Sequence, residues 1–298
     1  MSTIEKAMGK LAKQAQAKQE GSEQPEAAES NQAAASSSVP STEKREKPVL
    51  QIDSAVLKRL GMLSDIRSRE TRMLSDEYRS IKRKLIKNAF EPGLIPKNKS
   101  NLIMVTSANP GEGKTFTSIN LALSLALEKD KTVLLIDSDV LKPTVSKTLG
   151  IGQHMGLMEY LLGETDDIAD VIYHTNIPNL RIMPAGMPHH LSNELLASDK
   201  MRSLTEELNS RYSDRVVLFD SPPVLGVNET VVLSNFIGQA VVVVEQDGTK
   251  LAAIRSAVSQ FSDELAIGYV LNKAVHGKTG TYGYGYGYGY GYEEERSA

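Results

Sequence analysis

The chain has 298 residues, with 34 Lys and Arg against 37 Asp and Glu and a net charge of -3. That length suits one large domain with appendages or two small ones, and the balanced charge gives no pointer to nucleic acid as a partner. Cysteine is absent, which excludes disulfides, thiol nucleophiles, iron–sulfur clusters and Cys-ligated zinc.

The N-terminus MSTIEKAMGK has no apolar signal core. The longest apolar runs, such as Val133–Ile136 and Ala240–Val244, fall far short of the ~18 residues a membrane span needs. The expectation is a cytoplasmic protein unless a partner carries it to a membrane. Residues 1–18 predict an amphipathic helix, since Ile4, Met8, Leu11 and Ala15 recur at helical spacing with Lys6, Lys10 and Lys13 opposite. Such a helix is either a solvated element or a docking helix for a protein or an anionic membrane surface. From 19 to 50 the chain is rich in Ala, Ser, Glu and Gln and too poor in apolar groups to offset the entropy of ordering, so a disordered linker is expected.

Residues 51–100 carry twelve Lys and Arg against six Asp and Glu. Met73, Leu74, Tyr78, Ile81, Leu85 and Phe90 predict a helix over about 70–90 with one buried stripe, a basic extension read as an assembly surface. Beyond it, apolar β-type runs alternate with helical segments. Strands are expected at 102–106, 132–137, 180–183, 216–220, 240–245 and 267–271, and helices at 114–127, 193–212, 229–236 and 250–263. Non-alternating apolar strands separated by helices mean an α/β fold, a doubly wound and mostly parallel sheet covered on both faces, over 101–277. Ligands of such sheets bind at the carboxyl ends of the strands, and the unusual polar residues sit there. After 277 the chain becomes a Tyr-Gly alternation, expected to be a mobile tail over 278–298.

Three strand ends carry chemistry. Ala108-Asn-Pro-Gly-Glu-Gly-Lys-Thr115 lies between a predicted strand and a predicted helix, the setting of a phosphate-binding loop. Gly111 and Gly113 let the backbone approach an anion, Lys114 reaches the outer phosphates, and Thr115 offers a hydroxyl to Mg²⁺. Asp137 and Asp139 end the next strand, and alternation points both carboxylates the same way. Two like charges so placed need a cation or a proton between them. Asp220 ends a third apolar strand and supplies another acid on the metal side. Asn272 ends the last strand, where its amide suits either a purine edge or a structural cap. Six phenols in the tail, Tyr282, Tyr284, Tyr286, Tyr288, Tyr290 and Tyr292, have no packing rationale and read as phosphate acceptors.

Taken together, SANPGEGKTFTS, VLLIDSD, VVLFDSPP, the MPAG and NELL segments and the tyrosine tail resemble the bacterial tyrosine autokinases called BY-kinases. The N-terminal helix, the chain without a membrane span and the Tyr-Gly tail are similar to the subtype linked to exosortase-associated exopolysaccharide clusters. The resemblance implies a P-loop fold and an ATP- and Mg²⁺-dependent protein-tyrosine kinase that phosphorylates its own tail in polysaccharide synthesis or export. It implies ATP contacts from Pro110, Gly111, Glu112, Gly113, Lys114, Thr115, Phe116 and Asn272. Metal contacts would come from Thr115, Asp137, Asp139 and Asp220, with Asp137 activating the attacking phenol. It also implies a homo-oligomeric ring, a separate membrane-bound activator of chain length or export at the inner face of the membrane, and a tyrosine phosphatase. The family's Glu-x-x-Arg-x-x-Arg assembly signature maps onto Asp76, Arg79 and Lys82, and Leu141 stands where the family usually has Arg. Two other functions compete. One is a Min/Par-type positioning ATPase, but Asn109 occupies that group's signature Lys position. The other is a nucleotide-gated scaffold of a polysaccharide assembly.

Overall fold

The computed structural model describes residues 47–274, except 65–70, 92, 94, 98 and 212–213. The expected N-terminal helix, the linker up to residue 46 and the tyrosine tail lie outside the described residues.

Two helices precede the sheet: the short α1, Ser54–Arg59, capped by Asp53 through Ala55 N at 2.8 Å, and the long α2, Arg72–Phe90. The strands are β1 Leu102–Ser107, β2 Thr132–Asp137, β3 Tyr173–His174, β4 Leu180–Met183, β5 Arg215–Asp220, β6 Gln239–Glu245 and β7 Ala266–Asn272. Between them lie α3 Lys114–Leu125, α4 Val145–Leu149, α5 Leu157–Leu162, a 3-10 turn at Ile168–Val171, α6 Ser192–Leu196, α7 Asp199–Ser210, α8 Asn228–Ser234 and α9 Leu251–Val258. One sheet runs in the order β3-β4-β2-β5-β1-β6-β7. Every pairing is parallel except β3 with β4.

The six strands expected from the sequence are found within one residue at each end. Their apolar runs are continuous because both faces are covered. Ile103, Val105, Val133 and Leu135 face a layer that includes Tyr78, Leu85, Ile119 and Leu149. Leu102, Met104, Leu134 and Ile136 face the opposite layer, with Leu161, Leu196, Leu204 and Leu233. The expected helix over 193–212 is two helices. Ser198 takes an extended backbone and its hydroxyl accepts from Met201 N at 3.2 Å, so it caps α7 rather than continuing α6. Two-residue β3 and the short helices α1, α4 and α5 were not among the expected elements, being too brief to show a period.

The basic extension is part of this core. Leu50, Ile52 and Leu57 share the first layer with α2 and α3. Lys82, expected on the assembly face beside Asp76 and Arg79, turns the other way and is only 5% exposed. Its ammonium binds Glu128 Oε1 at 2.7 Å and donates to Ser124 O at 2.9 Å, fastening α2 to the C-terminal end of α3. Asp76 and Arg79 do lie on the exposed side of α2, paired with each other. Lys82→Ala is therefore expected to destabilise the fold by about 2 kcal/mol, the worth of charge-assisted hydrogen bonds lost from a buried site. Arg79→Ala should stay within ~0.5 kcal/mol, since an exposed i,i+3 pair contributes little. Urea unfolding of the two variants checks this; equal midpoints would remove the anchoring role.

Candidate nucleotide site

Strand order reverses at β1, which pairs with β5 on one side and β6 on the other, and the crevice of such a sheet opens at that point. Residues 108–113 leave β1 there and lead straight into α3. Gly111 and Gly113 hold φ of 84° and 96°, the left-handed region that a side chain resists. The loop wraps the N-terminus of α3, where unpaired N–H groups and the helix dipole favour an anion. A cleft of about 570 Å³ opens beside it, lined by the loop, by Asp139, Leu141 and Thr144, and by Pro222 and Pro223.

The five polar residues expected on the catalytic side converge. Lys114 Nζ donates to Asp139 Oδ2 at 2.7 Å. Thr115 Oγ1 donates to Asp220 Oδ2 at 2.8 Å and lies 2.8 Å from Thr144 Oγ1. Asp137 and Asp220 sit opposite each other in the β2–β5 register. Asp137 Oδ2 accepts from the backbone N–H groups of Thr144 and Val145 at 3.1 and 3.0 Å, and Oδ1 from Asp139 N at 3.3 Å.

Burial and the neighbouring Asp220 and Asp139 push Asp137 up to about 7. Burial also raises Asp220, against the pull of Lys114. For Lys114, burial alone would favour the neutral amine, but Asp220, Asp139 and Asp137 outweigh it and hold the ammonium. Three carboxylates around one cation leave an excess of negative charge that a second cation would relieve. The candidate metal donors lining the cleft are oxygens, Thr115 Oγ1 and the Asp139 carboxylate, with Asp220 buried behind Thr115, and oxygen donors suit a hard ion. Among the described residues no three His, Cys, Asp or Glu side chains form a metal cage. Mg²⁺ is such a hard ion, and it keeps several waters and draws further ligands from phosphates.

Two of the expected ligands, Glu112 and Asn272, bond to the loop through their side chains. Glu112, expected to contact ATP, is 3% exposed and its carboxylate turns inward. It accepts from Asn109 N at 3.0 Å, Asn109 Nδ2 at 2.8 Å and Thr249 Oγ1 at 2.7 Å. Asn272, whose amide suited a purine edge or a cap, donates from Nδ2 to Glu112 O at 2.9 Å. Pro110 and Gly111 are exposed on the loop, and Phe116 lines the cleft while packing against the layer around α2. Leu141 is exposed on the cleft's lip. Sequence reasoning missed Ser118, whose hydroxyl donates to Asp220 Oδ1 at 2.8 Å. Its place three residues after Thr115, on the same helix face, was the available signal. Thr144 and Thr249 carry no comparable signal, since each reaches the site from a distant loop.

A family model described as an AAA domain matches residues 100–260. The tyrosine-protein kinase YwqD of Bacillus subtilis is 33% identical over 184 residues, 61% of this chain and 76% of that protein. The tyrosine-protein kinase ptk of Acinetobacter johnsonii is 33% identical over 184 residues, again 61% of this chain but 25% of that protein. The chain thus spans a quarter of the Acinetobacter protein's length. Among solved structures, the kinase domain of the Escherichia coli tyrosine kinase ETK is similar with a TM-score of 0.60 and 27% identity, covering 72% of this chain and 81% of that one.

Proposed function

The chain belongs to the bacterial tyrosine-protein kinases that carry an AAA-type P-loop domain, and from that membership we propose that it transfers the γ-phosphoryl group of ATP to tyrosines of its own C-terminal tail. The observation that carries this reading is the convergence of Lys114, Thr115, Asp137, Asp139 and Asp220 beside a phosphate loop. In this reading Lys114 trades Asp139 for the outer phosphates. Thr115 and Asp220, steadied by Ser118, would hold Mg²⁺, which when bound would supply positive charge against the phosphates. Asp137 accepts the phenolic proton as the phenol oxygen bonds to phosphorus and the bridging oxygen leaves with ADP. A carboxylate pushed up to about 7 is matched to that proton transfer at neutral pH.

The polysaccharide role, a ring of copies, a separate membrane activator and a phosphatase come with the resemblance and are part of this proposal. Among the described residues no helix is long and apolar enough to cross a membrane. The Min/Par-type alternative is disfavoured by Asn109, whose side chain is held by Glu112 rather than offered to a neighbouring copy's nucleotide.

Incubating the purified chain with ATP and Mg²⁺ and mapping phosphate by mass spectrometry tests the proposal. Phosphate is expected on Tyr282–Tyr292; ATP hydrolysis with no phosphotyrosine would leave the switch reading in its place. Glu112→Ala should raise KM for ATP about tenfold or more, because the loop loses its brace and a misplacement of ~1 Å is costly to positioning. Steady-state kinetics checks it, and an unchanged KM would show that the loop holds its shape without the carboxylate.

A further inference from the structure

A second cavity lies at the other end of the sheet. It measures about 240 Å³ and opens where β4 and β5 begin, whereas the phosphate loop follows the carboxyl end of β1. Four cationic side chains line it: Lys47, Arg181, Arg211 and Arg215. Arg215 is 1% exposed. One carboxylate, Glu207, also lines it, and a second, Asp170, stands at its margin. Glu207 pairs with Arg211 at 2.6 Å and Asp170 with Lys47 at 3.4 Å. The remaining walls are apolar, from Ile168, Ile172 and Leu208. Burial and the charges of Arg181 and Arg215 hold the His174 imidazole below its ordinary range, a sign of a positive field in the cavity.

With four cations and one carboxylate in its lining, the cavity is positive on balance, and an anion suits it. Arginines supply the forked donors that suit a phosphate. Apolar walls next to them suit a ring. The cavity is smaller than the ~300 Å³ at which pockets for whole cofactor-sized ligands begin, which argues against a second nucleotide. We propose that this cavity is a binding site for an aryl phosphate, the phosphotyrosine side chain of a second copy's tail. The ring would lie against Ile168, Ile172 and Leu208, and the phosphate would meet Arg181 and Arg211.

A second copy is the natural source. The cavity is by β3 and β4, five to six strand spacings or roughly 24–29 Å from β7 and at the opposite strand ends. A chain's own tail leaves after β7 and would have to pass around the whole body to arrive. The proposal rests on the tyrosine-kinase reading for its ligand, but not for its test.

The test uses the full chain, stripped of phosphate by a phosphatase and checked by intact mass, with no ATP present. The probe is a fluorescent peptide of residues 281–292 phosphorylated on Tyr286. Anisotropy should show binding that the unphosphorylated peptide lacks by about tenfold or more. Inorganic phosphate and the same peptide with phosphoserine at 286 should each compete at least about tenfold more weakly, because they lack the ring. The variant Arg181→Gln with Arg211→Gln should lose about tenfold or more in affinity while phosphorylating its tail at the wild-type rate. If that variant unfolds, Lys47→Ala at the cavity rim replaces it, with a smaller loss expected. Affinity unchanged in a folded variant, or equal competition by phosphoserine or phosphate, overturns the proposal. No peptide binding beside normal tail phosphorylation sinks this site and leaves the kinase reading standing. Peptide binding to a chain that never phosphorylates its tail does the reverse.

Discussion

Lys114→Ala is expected to cut tail phosphorylation about 10³-fold or more, the scale seen when a preorganised charge is removed from a phosphoryl-transfer site. Lys114 is the cation that Asp137, Asp139 and Asp220 share, bonded to Asp139 at 2.7 Å. Its removal leaves three carboxylates facing one another and takes away the group aimed at the outer phosphates. The fold should persist, because the side chain lines an open cleft and its backbone place at the start of α3 is one that alanine accepts. Phosphate incorporation measured by mass spectrometry, with an unfolding curve as control, reads both parts. Wild-type incorporation by the purified variant would remove Lys114 from the chemistry.

Asp137→Asn should have two opposite effects. Phosphorylation should fall about 10²-fold or more, as an amide can neither take the phenolic proton nor balance the metal. The loss should exceed that for Asp139→Asn, since only Asp137 is assigned the proton. At the same time the nucleotide-free chain should become more stable at neutral pH. Asp137 is raised from 3.8 to about 7 by burial and by its neighbouring carboxylates. Between those values the folded chain keeps a proton that the unfolded chain has released. The stabilisation is present in full near the lower value and is lost as pH rises toward the upper one, a swing of up to ~4 kcal/mol. Asp220 is raised too and adds in the same direction. Urea unfolding without nucleotide should therefore give a higher midpoint near about pH 5 than about pH 7.5 in the wild type, and a flatter profile in Asp137→Asn. A wild-type midpoint that rises with pH over that interval would contradict the buried, proton-holding carboxylate.

The strands and the phosphate loop were legible because their signals are local. An apolar run buried on both faces looks the same in the chain as in the sheet, and Asp137 and Asp220 mark the ends of such runs. Lys82 was not legible. Its charge reads as surface, and only the distant Glu128 and Ser124 O explain why it is inside. Glu112 has the same character: beside a Gly-Lys-Thr sequence it looks like a ligand, whereas Thr249, more than a hundred residues on, shows it to be a brace. Ser198 reads in the sequence as one more residue of the 193–212 helical run, and its extended backbone and the bond from Met201 N show the break. The cavity between Lys47 and Arg215 joins segments that no sequence spacing relates.

The latch between Asn272 and the phosphate loop also limits how this protein can change over generations. A methyl group at position 113 would lie 2.0 Å from Asn272 Nδ2, and the backbone there already sits at a φ of 96°. Enlarging position 113 first therefore meets a clash. Shrinking position 272 first strips Glu112 O of its donor and loosens the loop before anything is gained. Making both changes together still leaves a side chain in a left-handed conformation. Each single step and their combination run downhill in fitness, so drift has no neutral path through this pair. The loop and the last strand, more than 150 residues apart in the chain, are inherited as one character.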